Sequence, residues 1–486
     1  MSEGVRTRMG EQLLGAVVLM VAVLGLGLGA TVTLARSAGM DAYMSAGLVP
    51  LLGIGVVGTV TLVAGHAALL YPALPWILAA AGVVTTALLR ERVQHLLVTL
   101  GVELRLAWRT FPLLITALAA ALSLAFVAGL AAPVRTDEVE YHWPAPVAWA
   151  ANGGWNASPY RHVNAFPFME VVYTAAALTG SYVAAHWLHT LCLIALGLCT
   201  AGLARQFGVA MAVPVAAAAV VSPVVWLQSF AAYNDVAAAA FGVGAVAVLV
   251  SGRYTRTATM LSCILLAVSI SMKPTSAATA GVIGLFVLLA AAWRTPPHPG
   301  SVAKSLRLWV PLIATSAVTL ALWSLRQLIY TGNWLDPAMT AEPDAYARTM
   351  LPDTVDRLVW PLMPLVSGVL GSGEPWGGRT SLVIQALLVP ALVYALWRGK
   401  DTLRRFLLFA LPAYAHWMVL GLAIVRTRFH IVTFTMLIVA VAVVAEGLVQ
   451  DRPRWARTVR LMWTGLVIVG LLDVLRQTLQ MAASIR

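Results

Sequence analysis

Apolar runs of about 20 residues, separated by short polar or basic stretches, recur along the whole chain. Each is long enough to cross the hydrocarbon core of a bilayer. With no water there to satisfy the backbone, such a run must be helical. The runs are also too long and too uniformly apolar for barrel strands. In chain order the pattern predicts spans at Gln12–Leu34, Ala46–Leu70 and Pro75–Leu89, an amphipathic connector from Arg90 to Arg109, and a span at Phe111–Ala132. Phe166–Thr179 is too short to cross and is expected to be an interfacial or re-entrant piece. Further spans are predicted at Ser181–Ala204, Val213–Ala232, Val236–Val250, Ala258–Met272, Thr275–Trp293, Leu308–Tyr330, Ser381–Trp397, Phe406–Val425, Ile431–Leu448 and Leu461–Val474. The expected fold is therefore an all-α polytopic membrane protein of about 13 or 14 transmembrane helices. Two extracytoplasmic loop regions with short interfacial helices interrupt it. The expected organisation is 1–110 for the N-terminal helices and basic connector, and 111–330 for a catalytic module with its first outer loop at 133–180. The second outer loop is 331–380 and the C-terminal helices are 381–486. Neither an internal repeat nor the inverted symmetry of many transporters is visible.

Composition supports the membrane reading. The 486 residues are 60% hydrophobic and only 11% charged, against roughly 25% charged in a soluble domain. The net charge of +12 is carried almost wholly by arginine. These arginines sit in short loops between spans, as the positive-inside rule produces, so nucleic acid is not the implied partner. The rule places the connector at 90–109 and the loops at 253–256, 294–307, 398–405 and 451–460 in the cytoplasm. It places both long polar regions outside. Four spans before Asp137 would leave Met1 outside, whereas Arg6 and Arg8 favour the inside. One early segment is therefore expected to be a hairpin or to lie in the interface. Cys192, Cys199 and Cys263 lie in apolar runs, spaced for neither disulfides nor metal. Lysine-poor, Ala/Val/Leu/Arg-rich composition points to a bacterial cytoplasmic membrane, so the sequon Asn156-Ala-Ser158 is discounted. The first apolar run lacks a cleavage site and reads as a span rather than a signal peptide.

Candidate chemistry concentrates in Arg135-Thr-Asp-Glu-Val-Glu-Tyr-His-Trp-Pro144, which carries Asp137, Glu138, Glu140 and His142. As a bland alternative, this is a solvated loop. Ionisable groups at membrane depth are functional candidates, and here they lie at the outer ends of spans: Asp235, Lys273, Arg326, Arg426, Arg428 and His430. Together they suggest a site at the outer interface. There the acids would do proton chemistry or hold a metal, and the cations would hold an anion such as a lipid-linked phosphate. Snorkelling to the headgroups is the alternative for each cation. His142 reads equally as a metal ligand, a substrate donor or a structural residue, whereas His186 and His189, on one helix face, read as core or interface residues rather than ligands. Trp143, Trp149, Trp155, Trp334 and Trp376 fit an aromatic belt, or stacking on a sugar.

Several stations, in order, resemble the GT-C superfamily of membrane glycosyltransferases, the broad group of protein O-mannosyltransferase-like and aminoarabinose-transferase-like enzymes. They are the acidic pair Asp137-Glu138, then Tyr141-His142-x-Pro144 and a Phe-Pro-x-x-Glu stretch ending at Glu170. Ala232-Tyr-Asn-Asp235, Ser271-Met-Lys-Pro-Thr275, Arg326-Gln-Leu-Ile-Tyr-Thr-Gly-Asn333 with Pro337, and Arg428-Phe-His430 follow. The chain departs from the pattern in the several spans before the acidic loop and in Trp334, where a proline is expected. The resemblance implies a polyprenyl-phosphate-linked sugar donor, a glycan, lipid or protein acceptor, and an extracytoplasmic active site among membrane lipids. It implies Asp137 as general base in an inverting transfer, with Glu138 sharing that role, orienting Asp137 or binding metal. Lys273, Arg326 and Arg428 are the expected donor-phosphate ligands. Glu140, Tyr141, His142, Asp235, Asn333 and His430 are expected to line the substrate site. A divalent cation, Mg or Mn, held by Asp137, Glu138 and His142, is the one cofactor left open. The competing functions are a transporter or flippase of lipid-linked sugars, which should carry polar residues at the bilayer midplane, and a structural membrane subunit.

Overall fold

The computed structural model describes residues 3–38, 40–158, 163–164, 166–251, 254–293, 299–333, 362, 380–421 and 427–484. Nearly all of the expected second outer loop, including Trp334, Pro337 and Trp376, lies outside the described residues, as does Arg426. Among the described residues every regular element is helical. They are α1 (Glu3–Ala38), α2 (Ala42–His66), α3 (Ala73–Leu88), α4 (Arg90–Thr110), α5 (Pro112–Ala128), α6 (Pro144–Asn152), α7 (Phe168–Leu178), α8 (Tyr182–Gln206), α9 (Ala212–Val220), α10 (Pro223–Trp226), α11 (Asp235–Ser251), α12 (Arg256–Met272), α13 (Ala277–Ala292), α14 (Pro299–Thr331), α15 (Leu382–Arg398), α16 (Lys400–Gly421), α17 (Ile431–Asp451) and α18 (Ala456–Ser484).

Six stretches are long and apolar enough to cross a membrane: Met9–Leu34, Ala42–His66, Tyr182–Gln206, Trp309–Thr331, Arg428–Asp451 and Pro453–Gln480. A seventh arises if α3 and α4, bent by 83° at their junction, are counted together. The remaining expected spans are shorter apolar helices or are broken. The predicted Val213–Ala232 divides into α9 and α10. The division falls at Pro223, which has no N–H to continue the helical ladder. Of the two readings of Phe166–Thr179, interfacial or re-entrant, the interfacial one requires correction. The segment folds as the eleven-residue α7, whose Met169, Val171, Val172, Tyr173, Ala175 and Ala176 are wholly buried. Buried on nearly every side, with Glu170 and Thr174 included, this helix packs inside protein rather than at an interface.

Capping residues set several boundaries. Asp41 accepts the Met44 N–H at 2.8 Å to open α2, and the Ser181 hydroxyl accepts the Ala184 N–H at 3.1 Å to open α8. Gly180 precedes that cap at φ +72°, in the left-handed region. The α1–α2 contact relies on missing side chains. A Cβ at Gly27 would run into the Val49 carbonyl, and one at Gly53 into the Val23 carbonyl. Small residues let two apolar helices approach backbone to backbone where lipid supplies no hydrophobic drive.

Hydrogen bonds between helix termini define two ends of the molecule. At one, Gln12 near the start of α1 meets Gly180 and Ser181, and Trp155 donates its indole N–H to Leu62 near the end of α2 (2.9 Å). This is the end of the Asp137 region. At the other, Gln206 at the end of α8 reaches Asp41 (3.2 Å), Arg205 pairs with Glu103 of α4 (3.2 Å), and Arg398 pairs with Asp451 (2.5 Å). We call these the loop end and the basic end. The chain alternates between them: α1 runs from the loop end to the basic end, α2 returns, α3 goes back, and α5 rises again to Asp137. The early hairpin or interfacial segment expected from Arg6 and Arg8 is not needed, because Gln12 already lies at the same end as the acidic loop.

Candidate functional site

The candidate chemistry assembles at the loop end, from connections far apart in sequence. After α5 the chain makes a π-helical turn, Glu138–His142. The wider turn turns Glu138 and His142 inward, both buried, while Glu140 is left exposed and apart from the rest. Glu138 is fully engaged as an anchor. One carboxylate oxygen accepts from His186 Nε2 (2.5 Å) and from the Ala232 N–H (2.7 Å). The other accepts from the Val134 and Arg135 N–H groups (3.2 and 3.4 Å). Burial works against its charge, yet the His186 and backbone bonds outweigh this and hold Glu138 below the usual carboxylate range. His186 also faces the Gly129 carbonyl (2.9 Å). Glu138 thus ties the acidic loop to α5, α8 and the Ala232–Asp235 turn.

This anchoring aims the neighbouring Asp137 across to the short turn before α17, where Arg428 Nη1 meets its carboxylate at 2.8 Å. Both side chains are about one-tenth exposed. A second pair lies alongside, Lys273 with Asp235, joining the start of α11 to the turn after α12. Phe429 packs against both cations. Lys273 Nζ is 3.6 Å from its ring centre and the Arg428 guanidinium carbon is 5.4 Å from it. Burial lowers the Lys273 ammonium to about 8, with Asp235 opposing. The phenols of Tyr141 and Tyr233 are pushed up, first by burial and then by Asp137. Both therefore stay neutral donors beside these charges.

A narrow, partly open cleft with an internal volume of about 20 Å³ lies between these elements. Lys273, Arg428, Asp235 and His416 line it, with the hydroxyl residues Thr275, Ser276 and Thr279 at the start of α13. Two cations, hydroxyl groups and a helix N-terminus suit an oxyanion such as a phosphate.

Of the sequence candidates, Asp137, Tyr141, Asp235, Lys273 and Arg428 come together here. Four do not join them, the exposed Glu140 being the first. Arg326 is not beside the other two proposed phosphate ligands. It donates to the Asn164 carbonyl and stacks against Tyr330 (4.7 Å). Asn333, just beyond α14, is not among the cleft residues. His430 is buried behind the cleft against Trp417, ring centres 4.3 Å apart. The candidate metal set also separates: Asp137 turns to Arg428, Glu138 to His186, and His142 donates from Nδ1 to Glu170 (2.5 Å). Among the described residues no group of three or more His, Cys, Asp or Glu is arranged to hold a metal. The structure adds Glu170 and His416 to the neighbourhood, neither singled out beforehand. Glu170 closes the Phe-Pro-x-x-Glu stretch, so its signal was present. His416 sits mid-helix in an apolar run and carried none.

Comparison of the chain with models of known families, with curated proteins and with solved structures finds no match.

Proposed function

We propose that this protein is an integral membrane glycosyltransferase. It would move a sugar from a polyprenyl-phosphate donor to an acceptor hydroxyl, with inversion. The single observation that carries the reading is the Asp137–Arg428 pair beside the Lys273 cleft. It couples a carboxylate that can act as a base to a cation that can serve a phosphate. The donor phosphate binds to Lys273, Arg428 and the α13 N-terminus. Its oxygens compete with Asp137 for Arg428, and as the guanidinium turns to the phosphate the carboxylate is released. Asp137 then takes the acceptor hydroxyl proton while that oxygen bonds to the anomeric carbon. The bond from that carbon to the phosphate oxygen breaks, and its electron pair stays on the phosphate, where the cations stabilise the growing charge.

On this reading the loop end is extracytoplasmic and the basic end cytoplasmic, in a bacterial inner membrane. Counting the shorter apolar helices as crossings as well, the alternation of ends supports the about 13 or 14 spans expected from run length. The test offers purified protein in nanodiscs a panel of polyprenyl-phosphate sugars, with wild type and Asp137→Asn side by side, read by mass spectrometry. Sugar transfer or slow donor hydrolysis by wild type alone supports the proposal. The interrupted helix α9–α10, with buried Glu170 and His142 nearby, favours a transporter of lipid-linked sugars as the second reading. Movement of a lipid-linked sugar across the bilayer without release from any donor would select it.

A further inference from the structure

Among the described residues α4 is a long helix that does not run between the two ends. It meets α3 at 83°, and α3 packs along the membrane-length α1. α4 therefore lies nearly at right angles to the bundle. Its level is fixed by two contacts at the basic end. Glu103 pairs with Arg205 at the end of α8 (3.2 Å), and Leu100 packs against the small cluster around Tyr43 and Ala212, at the starts of α2 and α9. A helix so placed lies along the membrane surface.

Its side chains divide accordingly. Val93 and Leu100 face the protein. Beside them Leu97, Leu104 and Trp108, spaced seven and four apart, form an exposed apolar stripe, each about half accessible, while Val98, Val102 and Leu106 are exposed farther round the helix among the arginines. Arg105 and Arg109, four apart, occupy the adjoining exposed face, and Arg90 and Arg92 are exposed at the other terminus. Of the two glutamates, Glu103 is already paired, so the exposed surface is strongly cationic. An apolar stripe with a tryptophan, flanked by arginines, suits the boundary between acyl chains and anionic headgroups. We propose that α4 is a membrane-surface helix that binds anionic phospholipid. Leu97, Leu104 and Trp108 dip into the acyl boundary, and Arg105 and Arg109 engage lipid phosphates. The proposal is independent of the glycosyltransferase reading.

The test places a nitroxide on the full-length protein in a Cys263→Ala background, since Cys192 and Cys199 are buried. Leu104→Cys reports the stripe and His95→Cys, nine residues earlier, the opposite exposed side of the helix. The protein is reconstituted in vesicles of phosphatidylcholine alone or mixed equally with phosphatidylglycerol. In the mixed vesicles the label at 104 should collide with oxygen and be shielded several-fold from a water-soluble nickel chelate relative to the label at 95. Removing phosphatidylglycerol, adding salt to about 1 M, where the screening length is about 3 Å, or replacing Arg105 and Arg109 together by Gln should each return the label at 104 toward water. All four sites are exposed, so these variants leave the packing intact, and unchanged monodisperse elution checks it. Equal chelate access at 104 and 95 in mixed vesicles would overturn the surface placement. Identical access with and without phosphatidylglycerol would overturn the anionic preference. Protection at 104 from the chelate and from oxygen alike would instead assign the stripe to a second protein chain, and also overturn the proposal.

Discussion

Asp137 and Arg428 are nearly 300 residues apart, and their pairing gives one residue two competing anions. In the resting protein the guanidinium engages the Asp137 carboxylate at 2.8 Å. With a phosphate in the cleft the same guanidinium has a second anion to serve. Asp137→Asn should then reduce turnover by about 10²–10⁴-fold with donor affinity nearly unchanged. Arg428→Met should weaken donor binding while leaving Asp137 unpaired, so separate Kd and kcat measurements distinguish the two roles. Lys273 predicts a pH dependence. Its charge is present below about 8 and lost as pH rises through that value, so phosphate affinity should hold at neutral pH and fall on the alkaline side. Binding of a short isoprenyl phosphate by calorimetry from pH 6.5 to 9.5 would show it, and Lys273→Met should flatten the curve (about the working range in which Lys273 titrates). Much of this site was legible one residue at a time: scarce charges at the ends of apolar runs single out Asp137, Asp235, Lys273 and Arg428. Which charges meet was not legible. Arg326, like Lys273, is a scarce cation near the end of an apolar run, but it projects from within α14 and donates to the Asn164 carbonyl instead.

At the scale of elements, the acidic loop is held by the carboxylate beside the candidate base. Glu138 collects four hydrogen bonds from three separate regions. The family resemblance left Glu138 to share the base role, orient Asp137 or bind metal, and its bonds make it the loop's anchor. Glu138→Ala should destabilise the protein by about 3–5 kcal/mol, because it leaves His186 and several N–H groups buried without their acceptor. Thermal unfolding in detergent should register the loss, and His186→Ala should produce much of the same loss without adding to it, since the two belong to one network. Apolar run lengths located nearly every helix, because crossing a bilayer and forming a helix make the same demand on sequence. They could not separate α7, enclosed by protein, from a piece lying at the interface, since both read as a short apolar run. Nor could they identify the glycines at which α1 and α2 touch. Gly53→Val should push those helices apart and lower the unfolding temperature, whereas the same change at Gly55, which faces open space, should be nearly silent.

At the scale of the molecule, charge counting and packing disagreed about where the chain starts, and packing decides it. Arg6 and Arg8 favour the basic side, yet the contacts of Gln12 with Gly180 and Ser181 put the beginning of α1 beside the acidic loop. Positive-inside bias reflects the summed arginines of many loops. Two residues near one terminus are outweighed by Arg398, Arg404, Arg405, Arg452, Arg454, Arg457 and Arg460, all on connections at the other end. The bilayer must then lie between two sets of positions that single cysteines can report. In intact cells, Gly10→Cys and Glu140→Cys should react together with a membrane-impermeant maleimide, both being exposed at the loop end. Arg404→Cys and Arg457→Cys should react only after the membrane is opened. If Gly10→Cys instead follows the basic-end pair, an even number of crossings cannot precede Asp137, and the α1–α7 contacts that define the loop end would have to be wrong. If all four positions reverse together, the packing stands. The cleft with Lys273 and Arg428 then faces the cytoplasm, where a phosphate-linked donor would have to be offered from the inner leaflet.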